Sequence, residues 1–288
     1  MKKLVLLFIF ICLVTGSSLS VAVRQKEHSI GFEINGYKYQ EVNNKGEEFM
    51  SIEGERRGLS YEYLSRKSAE KSSFWSYQVA LSFGDLVYDG CSRDGAIKFK
   101  LNCRADFYQE HRFLYGLALP FNEYKSAVMP YLGFGFRGLF NRLKDYCYIK
   151  GGEPAEISGY DRYSTYLYIP LGIIARSDLD NGWLFNLNPE FDLFLIGRQT
   201  SCIDIEGKGE TTENFQHKGY GFRASARISK EIGESFAVFL EPFVKYWNID
   251  ESGKKYYSVV ESGIVKYKYL FEPKNTAMEY GAKIGITF

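Results

Sequence analysis

Hydrolytic chemistry needs a histidine held against a carboxylate or a hydroxyl, and the chain has three histidines to offer. His111 follows Glu110 directly inside an alternating apolar stretch, so the two neighbours point to opposite faces. His28 lies close to the N-terminus of the mature chain, and His217 has only the scattered acids Glu210 and Glu213 nearby. No Asp-Asp or Asp-His pair occurs, and Ser164, in Tyr163-Ser-Thr-Tyr166, has no adjacent histidine. No glycine-rich loop stands at a strand-to-helix junction to cradle a phosphate. The residue types therefore assemble no catalytic, cofactor-binding or metal-ligating set. The expectation is a protein that is not an enzyme and carries no cofactor.

The N-terminus sets the compartment. Lys2 and Lys3 precede an apolar run from Leu4 to Val14, and Ser20-Val-Ala22 offers small residues two positions apart for cleavage. This is the pattern of a secretory signal peptide, residues 1–22, with an apolar run too short to span a bilayer comfortably. The mature region is then 23–288, a single domain without a linker or composition shift. Removing Lys2 and Lys3 from the 36 basic residues leaves 34 against 35 acidic ones, a formal charge of −1. That balance gives nucleic acid no electrostatic footprint. Aromatic residues at 17%, with 28 glycines and only seven prolines, favour strands over helices.

Period-two alternation then divides the mature chain into ten strands. The clearest carries Trp183, Phe185, Leu187, Phe191, Leu193 and Leu195 on one face and Asn186, Asn188, Glu190 and Asp192 on the other. The last runs to Phe288, with Met278, Tyr280, Ala282, Ile284 and Ile286 opposite Glu279, Gly281, Lys283 and Gly285. Short turns (66–72, 121–126, 177–182, 230–235) alternate with long connections (41–48, 88–105, 141–161, 198–218, 248–275). A transmembrane barrel has this asymmetry, with short periplasmic turns and long extracellular loops. The expected fold is all-β: a transmembrane antiparallel up-and-down β-barrel of about ten strands, with eight as the fallback. Its location is the outer membrane, reached by export.

In such a barrel the polar face lines the lumen. Its expected acids are Glu33, Glu62, Glu110, Glu190, Asp192, Glu241 and Glu279. Its expected bases are Arg112, Arg137, Arg176, Arg223, Arg227, Lys245 and Lys283. Balanced charges in a narrow interior should pair across it and plug it, because unpaired buried charge is costly. Four cysteines remain after the leader, Cys91, Cys103, Cys147 and Cys202, all within the long connections. No CxxC spacing exists and histidines are few, so disulfides are expected over metal in this oxidising compartment. Three pairings are possible; Cys91–Cys103 within one loop and Cys147–Cys202 between loops are favoured.

Met129-Pro-Tyr-Leu-Gly-Phe-Gly-Phe-Arg137, Tyr160-Asp-Arg-Tyr163, Tyr166-Leu-Tyr-Ile-Pro-Leu-Gly172 and Glu241-Pro-Phe243 resemble the small outer-membrane β-barrel proteins of Gram-negative bacteria. These form the opacity-protein and OmpA-barrel group, often described as porin-like, which usually has eight strands. The resemblance covers the mature chain and implies no catalytic residues. The terminal Phe288 resembles the assembly signal of such barrels, which implies the barrel-assembly machinery as a partner, beside the outer-membrane lipid. The leading expectation is a structural or adhesive surface protein that meets an extracellular ligand or host surface through disulfide-tied loops. A narrow porin-like channel for small solutes is the alternative. An outer-membrane enzyme is the third reading: ten strands match the omptin proteases, but their acidic pairs and histidine at the barrel mouth have no counterpart here, and neither does a lipid A-modifying His and Ser.

Overall fold

The computed structural model describes residues 26–43, 45–67, 71–91, 98–121, 125–142, 147–149, 154–155, 161–203, 210–233, 236–261 and 264–288. The expected signal peptide, residues 1–22, lies outside them. In chain order the strands are β1 (Lys26–Val42), β2 (Glu48–Arg66), β3 (Ser72–Cys91), β4 (Lys98–Phe121) and β5 (Ser126–Arg142). There follow β6 (Cys147–Ile149), β7 (Pro154–Ala155), β8 (Asp161–Asp178), β9 (Trp183–Ile203) and β10 (Glu210–Gln216). The last are β11 (Gly219–Ile232), β12 (Phe236–Ile249), β13 (Lys255–Glu261), β14 (Ile264–Leu270) and β15 (Lys274–Thr287).

Ten of these close an antiparallel barrel, β3-β2-β1-β15-β12-β11-β9-β8-β5-β4, and β3 pairs with β4 to complete it. Each barrel strand pairs with its neighbour in sequence, apart from the short extracellular pieces. β1 pairs with β15 from Ser29–Thr287 to Val42–Lys274, which joins the first barrel strand to the last. The periplasmic turn before β9 holds Asp180, Asn181 and Gly182 at φ of 66°, 50° and 73°. Asp and Asn tolerate this left-handed region better than other non-glycine residues, which is why the sequence marks the turn.

Burial alternates along every barrel strand with the polarity reversed relative to a soluble protein. Ile30, Phe32 and Ile34 of β1, Leu132 and Phe134 of β5, and Ile284 and Ile286 of β15 are exposed on the outside. Glu33, Arg137 and Glu279 are buried inside. So large an exposed apolar belt is stable only against lipid. Among the described residues no helix is long and apolar enough to cross a membrane. Above the belt the outer face turns polar, at Lys38 and Gln40 on β1 and at Glu53 and Glu55 on β2. The barrel therefore stands above the bilayer.

This projection corrects the strand ends expected from sequence. Four connections read as long loops carry strand of their own: β3 and β4 extend to Cys91 and from Lys98, β6 pairs with β4 and with β7, β10 pairs along β9, and β13 pairs with β14 as a separate hairpin. Alternation is lost there because polar residues occupy both faces once the lipid no longer selects one of them.

Candidate functional site

Polar groups concentrate in two places, the filled lumen and the extracellular mouth above it. The lumen is built by the inward residue of each pair along the strands. Its centre is Arg223 of β11, whose Nη1 and Nη2 donate to both oxygens of Glu110 on β4 at 3.1 and 2.9 Å. Its Nε lies 2.9 Å from Asp192 and 2.8 Å from Glu190, both on β9. Glu190 also takes Arg112, which donates to Gln78 at 2.6 Å; Gln78 in turn donates to Glu62 at 2.6 Å. From Glu62 the chain of contacts continues to Arg227 at 2.9 Å, then to Glu241 and Lys283. In the other direction Glu110 meets Lys245 at 3.4 Å, Lys245 meets Glu279 at 3.5 Å, and Glu279 meets Arg137 at 3.2 Å.

Every expected lumen charge except Glu33 and Arg176 thus belongs to one continuous network. Glu33 accepts from Asn35 at 2.6 Å, and Arg176 pairs with Glu27 at 2.9 Å near the periplasmic mouth. Aromatic side chains fill the space between charges. Arg137 lies over the rings of Trp247 and Tyr166, and Trp247 meets Tyr168 edge-on at 5.0 Å. Gly135 makes room for Tyr168, because a Cβ there would stand 2.1 Å from the ring. The Tyr168 hydroxyl then reaches Glu110 at 2.7 Å. Among the described residues, cavities of about 110 and 40 Å³ lie in the periplasmic half and one of about 10 Å³ in the upper half.

Several lumen charges escape the sequence reading. Arg56 pairs with Asp106 at 2.6 Å, and Arg66 shares Glu27 with Arg176. Extending the alternation before the second expected strand would have found Arg56, which shares the parity of Glu62; Asp106 opens the fourth expected strand and shares the parity of Glu110.

At the extracellular mouth a second cluster forms around Arg162 of β8. Its Nη1 donates to Glu41 of β1 at 3.0 Å, and its Nη2 reaches Glu272, in the connection between β14 and β15. The Tyr39 hydroxyl lies 3.0 Å from an oxygen of each carboxylate, and Gln199 of β9 also donates to Glu272. Burial outweighs the attraction of Arg162, and with the repulsion of Glu41 it pushes the Glu272 carboxyl up to about 8. Beside the cluster runs a rim groove lined by Lys45, Phe215, His217, Lys218, Asp250 and Lys274.

The residues weighed for catalysis stay apart. His111 points outward to the Tyr77 hydroxyl at 3.0 Å, and His28 to that of Tyr61 at 3.0 Å. Among the described residues no hydrogen bond or ion pair joins His217 to a carboxylate, and no group of His, Cys, Asp and Glu could hold a metal ion. The cysteine side chains lie outside the described residues, but the backbone register is clear. Cys91 stands opposite Lys98, and Cys103 opposite Leu86. Five residues of ladder, roughly 16 Å at 3.3 Å per residue, separate the two, whereas a disulfide requires Cα atoms within about 7 Å. The register does not bring together the favoured pair Cys91–Cys103. Cys147 pairs with Leu101 and Ala155, and Cys202 with Asp161 and Thr211.

A closed ten-stranded barrel with a lipid-facing apolar belt and a charged lumen defines the class. The chain is an outer-membrane β-barrel protein, located in the outer membrane. The family described as "Outer membrane protein OpcA" matches residues 162–288, somewhat less than half of the chain. No curated protein sequence matches. Among solved structures, the outer membrane protease OmpT from Escherichia coli superposes with a TM-score of 0.62 at 9% identity, covering 95% of this chain and 99% of that one. That likeness establishes the fold alone. A major outer membrane protein from Thermus thermophilus aligns over 88% of this chain and 98% of its own at 10% identity, with a TM-score of 0.34.

Proposed function

We propose that this protein is a non-enzymatic surface protein: a lumen-filled barrel that displays extracellular loops to bind an external ligand or host surface. The observation that carries the reading is the continuous network from Lys283 to Arg137 through Arg223. It crosses the barrel with ion pairs and aromatic rings and leaves about 10 Å³ free in the upper half. A narrow channel would require that network to open, at the cost of unpairing buried charges. A barrel that spends its interior on rigidity makes a stiff platform, and the strands carry that platform above the lipid. Recognition then falls to the loops, as it commonly does on rigid scaffolds. The cysteines of these loops are proposed to pair as disulfides between loops rather than as Cys91–Cys103.

Planar-bilayer recording of the refolded protein tests the closed lumen. No unitary steps are expected, and stable steps would overturn it. Binding is tested with vesicles bearing the protein, exposed to a panel of host-cell surfaces. Deleting residues 255–270, the β13–β14 hairpin, should lower the binding while leaving the barrel folded.

A further inference from the structure

The connection after β12 leaves the barrel at Asp250, forms the β13–β14 hairpin and returns at Lys274. Its base is pinned by a few bonds. The Ser252 amide donates to the Glu272 carbonyl at 2.9 Å, the Glu272 amide to the Ser252 hydroxyl at 2.7 Å, and the Asp250 amide to the Lys218 carbonyl at 2.9 Å. Among its described residues, Glu272 is the acid that enters the barrel mouth. Glu272 is 4% exposed, and it reaches inward to meet Arg162, Tyr39 and Gln199.

Glu41 comes to the same guanidinium from β1 and is itself buried. Two carboxylates therefore share one arginine, with the Tyr39 hydroxyl between them. With both ionised the cluster would carry an uncompensated buried negative charge, which is costly. With one proton shared it is neutral, and both carboxylates keep their bonds to Arg162 and Tyr39. The groups facing Glu272 are Tyr39 and Glu41 from β1, Arg162 and Tyr166 from β8, Gln199 from β9, and Ser252 from its own connection.

We propose that Glu272 and Glu41, gripped together by Arg162, form a proton-operated latch that holds the 250–273 connection against the barrel mouth, tight in acid and looser in alkali. The sign follows from linkage. The docked Glu272 titrates at about 8, whereas an undocked glutamate titrates near 4.5, so the docked state binds the proton more tightly. Latching is strongest below about 4.5, weakens as pH rises, and stops changing above about 8. A surface loop whose presentation depends on external pH would change its availability to partners without any change in the barrel.

Hydrogen exchange of the full-length refolded protein, corrected for the intrinsic exchange rate, tests this directly. Protection of the Asp250, Ser252 and Glu272 amides should fall by up to about tenfold per pH unit between about pH 6 and 8, then level off. Glu272→Gln, which mimics the protonated acid, should stay protected with no pH slope. Glu41→Gln leaves Arg162 to a single carboxylate and should hold protection through about pH 9. This second variant reads the latch if the first does not fold, with heat-modifiable gel mobility reporting the barrel. Flat protection in the unmodified protein, or an unchanged slope in either folded variant, would overturn the proposal.

Discussion

Arg223 and Glu110, separated by 113 residues in sequence, face each other across the lumen with both guanidinium Nη atoms on both carboxylate oxygens. This fork binds β11 to β4, strands that share no ladder, and Asp192 and Glu190 crowd the same arginine. The barrel is thereby braced through its interior as well as around its wall.

Removing one member of such a group should be severe. Arg223→Met takes the arginine from Asp192 and leaves Glu110 and Glu190 with Lys245 and Arg112, and breaking a buried pair typically costs about 3–5 kcal/mol. The urea midpoint of the heat-modifiable gel shift should drop accordingly. A midpoint equal to that of the unmodified protein would show that the network adds nothing to stability.

Gly135 offers a steric counterpart. A methyl group there would press on the Tyr168 ring from 2.1 Å, and overpacking of this kind costs about 1–3 kcal/mol. Gly135→Ala should lower the same midpoint, and Tyr168→Leu in that background should recover part of the loss. Failure of the smaller side chain to help would place the strain elsewhere.

Asn181 holds the periplasmic turn at φ of 50°. Asn181→Gly should be nearly silent, whereas Asn181→Val should destabilise by about 1–2 kcal/mol, since β-branched residues resist the left-handed region. Comparing the two midpoints separates backbone strain from loss of the amide.

Phe288 exchanges two 2.9 Å backbone bonds with His28 and stacks on its ring at 5.6 Å. These are modest contacts at the end of a long ladder. Deleting Phe288 should shift the unfolding midpoint of refolded protein by under about 1 kcal/mol, yet sharply reduce the amount found in the outer membrane. Normal membrane levels would argue against a role in assembly.

Sequence alone determined the wall of this barrel. Lipid selects one face of each strand, so period-two alternation within the belt is a strong signal, and it located ten strands, the parity of the connections and the inward set from Glu33 to Lys283. The signal fades above the belt, where water tolerates polar residues on both faces; Arg56 and Glu41 escape it there although their parity is available. Other members of the mouth cluster leave no such trace. β9 carries an irregularity opposite Leu167 and Tyr168 that changes the inward parity from Asp192 to Gln199, and Glu272 lies outside any strand. Which charges meet was decided only by tertiary structure. Strand tilt and register set the height of each residue inside the barrel, and residues such as Arg223 and Glu110 or Arg162 and Glu272 become neighbours only once the sheet has closed.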